Sequence, residues 1–267
     1  MINKNNIRVA FGLVIFSLLF AILVGAGLVS LLSISFPSLD PKNVSLLSML
    51  VSTIIIGLPV FIYLRLNKLS IRNRLRINTI SINTFLSIIL ISIGFIVIID
   101  ELDRIVYALF GAPEFLQELV EQLKITSVHN GIIIILTTAI IAPVVEEMLF
   151  RGYLQKVLEE SWEDITKSIL VTSLFFALVH LNTYWIVQIY LLGMLLGYLS
   201  WRTNSIIPGI ILHGLNNGFA VFLNNVEDVF SRYYNWHEHV NPAWIIIAIF
   251  IVYLGFKILN KDLENRS

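Results

Sequence analysis

The sequence predicts an all-α fold, a polytopic transmembrane helical bundle of about eight spans. Composition points there first: 57% of the 267 residues are hydrophobic and only 13% charged, against about 25% charged in an ordinary soluble domain. Patterning points there second. The apolar residues gather into runs near the length of about 20 that crosses roughly 30 Å of hydrocarbon, and the Lys, Arg, Asp and Glu residues collect between them. Cysteine is absent, which removes disulfide and thiolate chemistry, and a formal net charge of zero gives no reason to expect a nucleic-acid partner.

The expected spans are 9–34, 44–64, 79–99, 131–157, 167–185, 186–201, 206–223 and 243–259. The first, within the apolar run from Val9 to Phe36, is too long for a signal-peptide core and has no small-residue cleavage site after it, so it is expected to be retained. Lys4 and Arg8 precede it, and Arg65, Lys68, Arg72, Arg74 and Arg76 follow the second span. Basic residues in short loops mark the cytoplasmic side. They predict a multi-pass protein of the cell (plasma) membrane with both termini cytoplasmic, Lys257, Lys261 and Arg266 closing the chain on that side. The third span then leads outward to an acidic stretch, in which 113–124 reads either as an amphipathic surface helix with Phe115, Leu119 and Leu123 on one face or as a solvated loop. Three regions follow: 1–127, spans and acidic connection; 128–225, the region that carries the chemistry; 226–267, an outer loop, the last span and the tail.

The fourth span breaks the pattern. Its apolar run GIIIILTTAIIA continues into APVVEEMLFRGYLQKVL, which puts Glu146, Glu147 and Arg151 at bilayer depth. A charge there costs from about 3 to above 10 kcal/mol. Glu147 and Arg151 are four apart and can pair on one helical face. Glu146 points about 100° away and is left free for proton transfer, the work of a general base. The next hairpin turns near Trp162, sixteen residues after Glu146 and eighteen before His180. Antiparallel helices rise equally, so this acid and imidazole share a depth to within a turn, and that depth predicts a cavity opening to the cytoplasmic side. His213 and Asn217, four apart on the seventh span, can donate hydrogen bonds to a developing oxyanion; interhelical polar contact is the plainer account. Gly193, Gly197, Gly209, Gly214 and Gly218 read as close helix packing. Trp236-His237-Glu238-His239 offers metal-ligating side chains but reads as a solvated outer turn.

Together these residues supply a base, its partner and oxyanion donors, an inventory suited to hydrolysis of an acyl bond by an activated water. No Gly-x-Ser-x-Gly and no His-Glu-x-x-His occurs. Glu146, His180 and His213 could also hold zinc through a carboxylate and two nitrogens, so metal-bound water and water activated by Glu146 and His180 alone both stay open. A non-catalytic membrane immunity or scaffold protein would keep the same cluster for packing, and a transporter would use Glu146 and His180 as a proton relay.

Three motifs carry a resemblance: EEMLFR at 146–151, FALVH at 176–180 and HGLNN at 213–217. In this order, each on an apolar helix, they are similar to the CPBP family of intramembrane proteases, which includes the type II CAAX prenyl endopeptidases and bacterial Abi and bacteriocin-processing proteins. The resemblance implies Glu146 and His180 as activators of the water and His213 and Asn217 as oxyanion donors or further polar ligands. It implies Glu147 and Arg151 as supporting residues, with Phe176 opening the second motif. The family is often labelled metalloprotease; a metal-free glutamate mechanism is the preferred expectation. The expected partners are the lipid bilayer and a peptide or membrane-protein substrate, in peptide maturation, bacteriocin immunity or membrane-protein turnover.

Overall fold

A computed structural model of the chain describes residues 6–111, 113–226 and 229–266, with side chains at all of these but 115, 117–119 and 229–231. The fold is an all-α bundle. Its helices are α1 (Ile7–Ser35), α2 (Pro41–Leu66), α3 (Ile82–Phe110), α4 (Glu114–Gln122), α5 (Val128–Trp162), α6 (Ile165–Val179), α7 (Ile186–Thr203), α8 (Ile207–Asn225), α9 (Val229–Tyr234) and α10 (Pro242–Glu264), besides the single turn Ile71–Arg74. Two two-residue strands, β1 (Asn235–Trp236) and β2 (His239–Val240), pair antiparallel. Among the described residues five helices are long and apolar enough to cross a membrane: α1, α2, α3, α5 and α10. The protein is thus a polytopic membrane protein. The other three expected spans are present as helices; α6, with 15 residues, is short, and α8 is interrupted by His213, Asn216 and Asn217.

Two boundaries differ from expectation, each for a local reason. The third helix does not stop at 99. Ser81 caps its start, Thr84 N donating to Ser81 Oγ at 2.9 Å, and the helix continues through Asp100, Glu101, Asp103 and Arg104 to a left-handed Gly111. Asp100 and Arg104, four apart, pair at 3.1 Å, so the charges that suggested a loop support another two turns. Conversely, the fifth span does not run to 185. His180 Nδ1 donates to the Phe176 carbonyl at 2.6 Å, Leu181 turns left-handed, and Asn182 Oδ1 accepts from the amides of Tyr184 and Trp185 at 3.1 Å each. An Asn that bonds the next turn's amides competes with helix continuation. His180 therefore sits at the end of α6, not within a span.

Segment 114–122 is helical, although the side chains of Phe115 and Leu119, two of the three on the expected apolar face, lie outside the described set. The Trp236–His239 stretch is a solvated turn, as expected, closed as a tight hairpin with Trp236, His237 and Glu238 exposed. Glu101 holds it, accepting from His239 Nδ1 at 2.8 Å and from Val240 N at 2.7 Å.

The apolar interior has two large clusters and a small third one of Leu46, Ile134 and Val221. Ala10, Val14, Leu64, Phe150, Leu154 and Phe176 pack α1, α2, α5 and α6 together. Ile88, Ile91, Leu192, Leu196, Leu212 and Leu259 join α3, α7, α8 and α10. Helix α10 approaches α3 so closely that a Cβ on Gly94 would stand 2.5 Å from the Ala248 carbonyl oxygen. The polar face of α5 lies at the seam between the two large clusters. Burying it there requires partners for every group.

Candidate active site

Helix α5 is not uniformly α-helical. Two π-helical stretches, Leu136–Ile141 and Met148–Leu154, flank Ala142–Glu147. Such widened turns shift which residues face a given neighbour and leave backbone groups to be satisfied from elsewhere. The first has a visible cause. Ala142 N donates to Thr137 O, five residues back. In the same register Thr138 O would accept from residue 143, and Pro143 has no N–H. Asn217 Nδ2 supplies the missing donor at 3.0 Å. Asn217 is thus held by the backbone of α5 through one of its two N–H groups, while its Oδ1 accepts from Asn216 Nδ2 at 3.4 Å.

Glu147 and Arg151 are both 0% exposed and pair at 3.0 Å. The same oxygen, Glu147 Oε1, accepts from His213 Nδ1 at 3.1 Å. Arg151 gives a second bond to the Gly193 carbonyl at 3.3 Å and lies over the Phe176 ring at 4.1 Å. Gly209 makes room for this carboxylate: a Cβ there would stand 2.6 Å from Glu147 Oε2. Below the pair, Gln155 Nε2 donates to the Gly197 carbonyl at 3.0 Å and to Glu159 Oε1 at 2.8 Å, and Arg76 pairs with Glu159. Gly193 and Gly197 therefore do more than permit close packing. Their carbonyls accept from side chains four apart on α5, each using its second lone pair.

Glu146 points the other way, to the wall of a cavity of about 430 Å³ also lined by Asp100, Asp103, His180, Gln188, His213 and Asn217. Its Oε2 stands 3.9 Å from His180 Nε2 and 3.8 Å from His213 Nε2, and has no hydrogen-bond partner among the described residues. Both imidazoles are oriented from behind. His180 Nδ1 donates to a carbonyl that can only accept, and His213 Nδ1 faces Glu147. Each therefore turns Nε2 toward Glu146. Phe176 packs edge-on against both rings, at 4.6 and 5.8 Å between centroids.

Residues from three helices thus converge: Glu146 from α5, His180 from the end of α6, His213 and Asn217 from α8. Glu147, Arg151 and Phe176 surround them. The cavity lies toward the end of the bundle that carries the 181–185 turn and the far half of α3, away from the Trp162 turn, with Glu146 and His180 at the shared depth expected from the hairpin. Sequence reasoning did not find Gln155, Asp103 or Gln188. The first was signalled by its four-residue spacing from Arg151 and Glu159; the other two had no local signal.

Glu146, His180 and His213 are the right kinds of donor for zinc. Their separations of 3.8 and 3.9 Å exceed the roughly 3.3 Å between neighbouring ligands that a tetrahedral centre with bonds of about 2.0–2.1 Å sets. Among the described residues no three His, Cys, Asp or Glu side chains form a group that could hold a metal ion. As placed, the three do not fit zinc. Each Nε2 stands within single-water reach of Glu146 Oε2, at 3.9 and 3.8 Å.

With this geometry in view, the comparisons are informative. The profile of the family described as "Type II CAAX prenyl endopeptidase Rce1-like" matches residues 128–219, roughly a third of the chain, and agrees with the resemblance carried by the three motifs. The match covers α5 to α8 up to Phe219 and includes Glu146, Glu147, Arg151, Phe176, His180, His213 and Asn217, but not Asp100 or Asp103. It supports a membrane protease in general terms. No curated protein and no solved structure matches the chain.

Proposed function

We propose, taking the endopeptidase-family match over 128–219 as premise, that the chain is an intramembrane endopeptidase in which Glu146 and His180 activate a water and His213 and Asn217 stabilise the oxyanion. One observation carries the reading: an unpartnered carboxylate oxygen faces two pre-oriented imidazoles at 3.8 and 3.9 Å on the wall of a cavity.

The water gives one hydrogen bond to Glu146 Oε2 and one to His180 Nε2. Glu146 takes its proton as the oxygen attacks the peptide carbonyl. A carbon–oxygen bond forms, the carbonyl π bond breaks, and the negative charge moves to the carbonyl oxygen. The second N–H of Asn217, and His213 when doubly protonated, donate to that oxygen. Collapse of the tetrahedral intermediate breaks the carbon–nitrogen bond, and Glu146 returns the proton to the leaving amine. Glu147, shared by Arg151 and His213, keeps the imidazole aimed. Arg151 holds Glu147 and, through Gly193, α7. The proposed substrate is a peptide bond in a membrane-associated polypeptide, and the proposed location is the cell membrane.

The test is cleavage of a mixed peptide library by the full chain in lipid vesicles. Glu146→Gln is expected to lose about 10²- to 10⁴-fold in rate, the usual worth of a positioned acid–base group, with unfolding unchanged. A strong chelator is expected to leave wild-type cleavage intact. Wild-type rates in Glu146→Gln would end the proposal; chelator loss reversed by zinc would replace its water step with a metal centre.

A further inference from the structure

The Glu146 cavity has a second polar wall that the proposed hydrolysis does not use. Asp100 and Asp103 lie on α3, and Trp185 and Gln188 at the start of α7. The two carboxylates differ. Asp100 is neutralised by Arg104 at 3.1 Å. Asp103 has no cationic partner among the described residues: it accepts from Trp185 Nε1 at 2.8 Å and from Gln188 Nε2 at 3.3 Å, both on Oδ1. Among the described residues no donor reaches Oδ2. Beside it, Gln188 is only 5% exposed, and its Oε1 has no hydrogen-bond partner. A buried amide oxygen without a donor is unfavourable, because it has given up its hydrogen bonds to water. The fold keeps this unpartnered acceptor in a residue that lines the same cavity as the Asp103 carboxylate.

The level of this wall follows from the Arg151–Gly193 bond. Glu146 lies five residues before Arg151 on α5, and Gln188 lies five before Gly193 on α7. The two helices run in the same direction, and the widened turn over Met148–Leu154 changes the rise by less than one helical turn over five residues, so Gln188 stands near the level of Glu146. Glu146, Asp103 and Gln188 line one and the same cavity of about 430 Å³. The lining of the cavity also includes the apolar side chains of Ile96, Ile99 and Leu192. An apolar stem ending in several N–H donors suits such a space.

We propose that Asp103 and Gln188 form a subsite for a cationic side chain, lysine or arginine, on the residue at or beside the bond that faces Glu146. This deepens the protease reading by naming its substrate class, and it rests on that reading only for the word substrate; the binding stands alone. The plainer account is that Asp103 serves only to pin Trp185 and the 181–185 turn. Asp103→Asn separates the two, because an amide oxygen still accepts from Trp185 and Gln188 while the charge is gone.

The experiment uses the full chain carrying Glu146→Gln, in phosphatidylcholine vesicles. The probes are a labelled leucine-rich peptide with one central lysine and its norleucine twin. The lysine peptide is expected to bind at least about tenfold tighter, and Asp103→Asn in the same background to bring the twins within about twofold, as loss of a charge-assisted contact requires. Equal binding of the twins, binding of neither, or a preference that survives Asp103→Asn would overturn the subsite. So would an equal weakening of both, which marks a structural role. Wild-type protein given the same twins distinguishes the two proposals. Preference in binding without cleavage leaves the subsite and removes the protease; cleavage of both at equal kcat/KM does the reverse.

Discussion

The pair Glu147–Arg151 gives the most exacting test of how this membrane interior is held together. Both side chains are 0% exposed, and every bond they make is internal. Replacing Arg151 by Met leaves the Glu147 carboxylate with His213 alone. Replacing Glu147 by Met leaves the guanidinium with one carbonyl and the face of Phe176. An uncompensated buried charge costs about 3–5 kcal/mol, whereas exchanging both partners for apolar groups of similar volume is often neutral or better. Each single substitution is therefore expected to destabilise by about 3–5 kcal/mol, and the double to recover at least half of the summed loss. The assay is detergent-titrated unfolding of the reconstituted protein, followed by helical circular dichroism, for the four members of the cycle. The double variant should also be folded but slow, because His213 Nδ1 has lost its acceptor. Singles that cost under about 1 kcal/mol, or a double equal to their sum, would refute the reasoning, since both outcomes mean that the charges are solvated or uncoupled.

Two further outcomes are expected on stability. Asn217→Leu removes the donor to Thr138 O and leaves a buried carbonyl beside Pro143, a loss of about 1–3 kcal/mol in the same unfolding assay; no loss would mean that the widened turn satisfies itself. Gly94→Val forces α3 off α10 at the Ala248 carbonyl and is expected to cost about 1–3 kcal/mol or more, while Gly12→Val, with open space around its Cβ, should fall within about 0.5 kcal/mol. Equal effects at the two glycines would show that helix propensity, not contact, sets the loss.

The sequence by itself determined the class of protein, because the bilayer imposes length and apolarity on every span and both are visible in the order of residues. It determined the Glu147–Arg151 pair, because four residues on one helix is a local relation. It also brought Glu146 level with His180, because two helices leaving one turn rise at the same rate. What it could not contain was rotation about the helix axes. Whether His213 meets Glu147 or Glu146, and whether Asn217 faces a cavity or the Thr138 carbonyl, depends on how α8 turns against α5 and on two widened turns in α5 that change its periodicity. The ends of α3 and α6 escaped for a related reason. A charged i, i+4 pair carried one helix onward through residues that resembled a loop, and an Asn side chain ended the other inside an apolar run. Those two boundaries, set by side-chain bonds and not by hydropathy, place Asp103 beside Gln188 and His180 beside Glu146. Contacts between residues distant in sequence are fixed only when all the helices pack at once, so only the tertiary structure decided them.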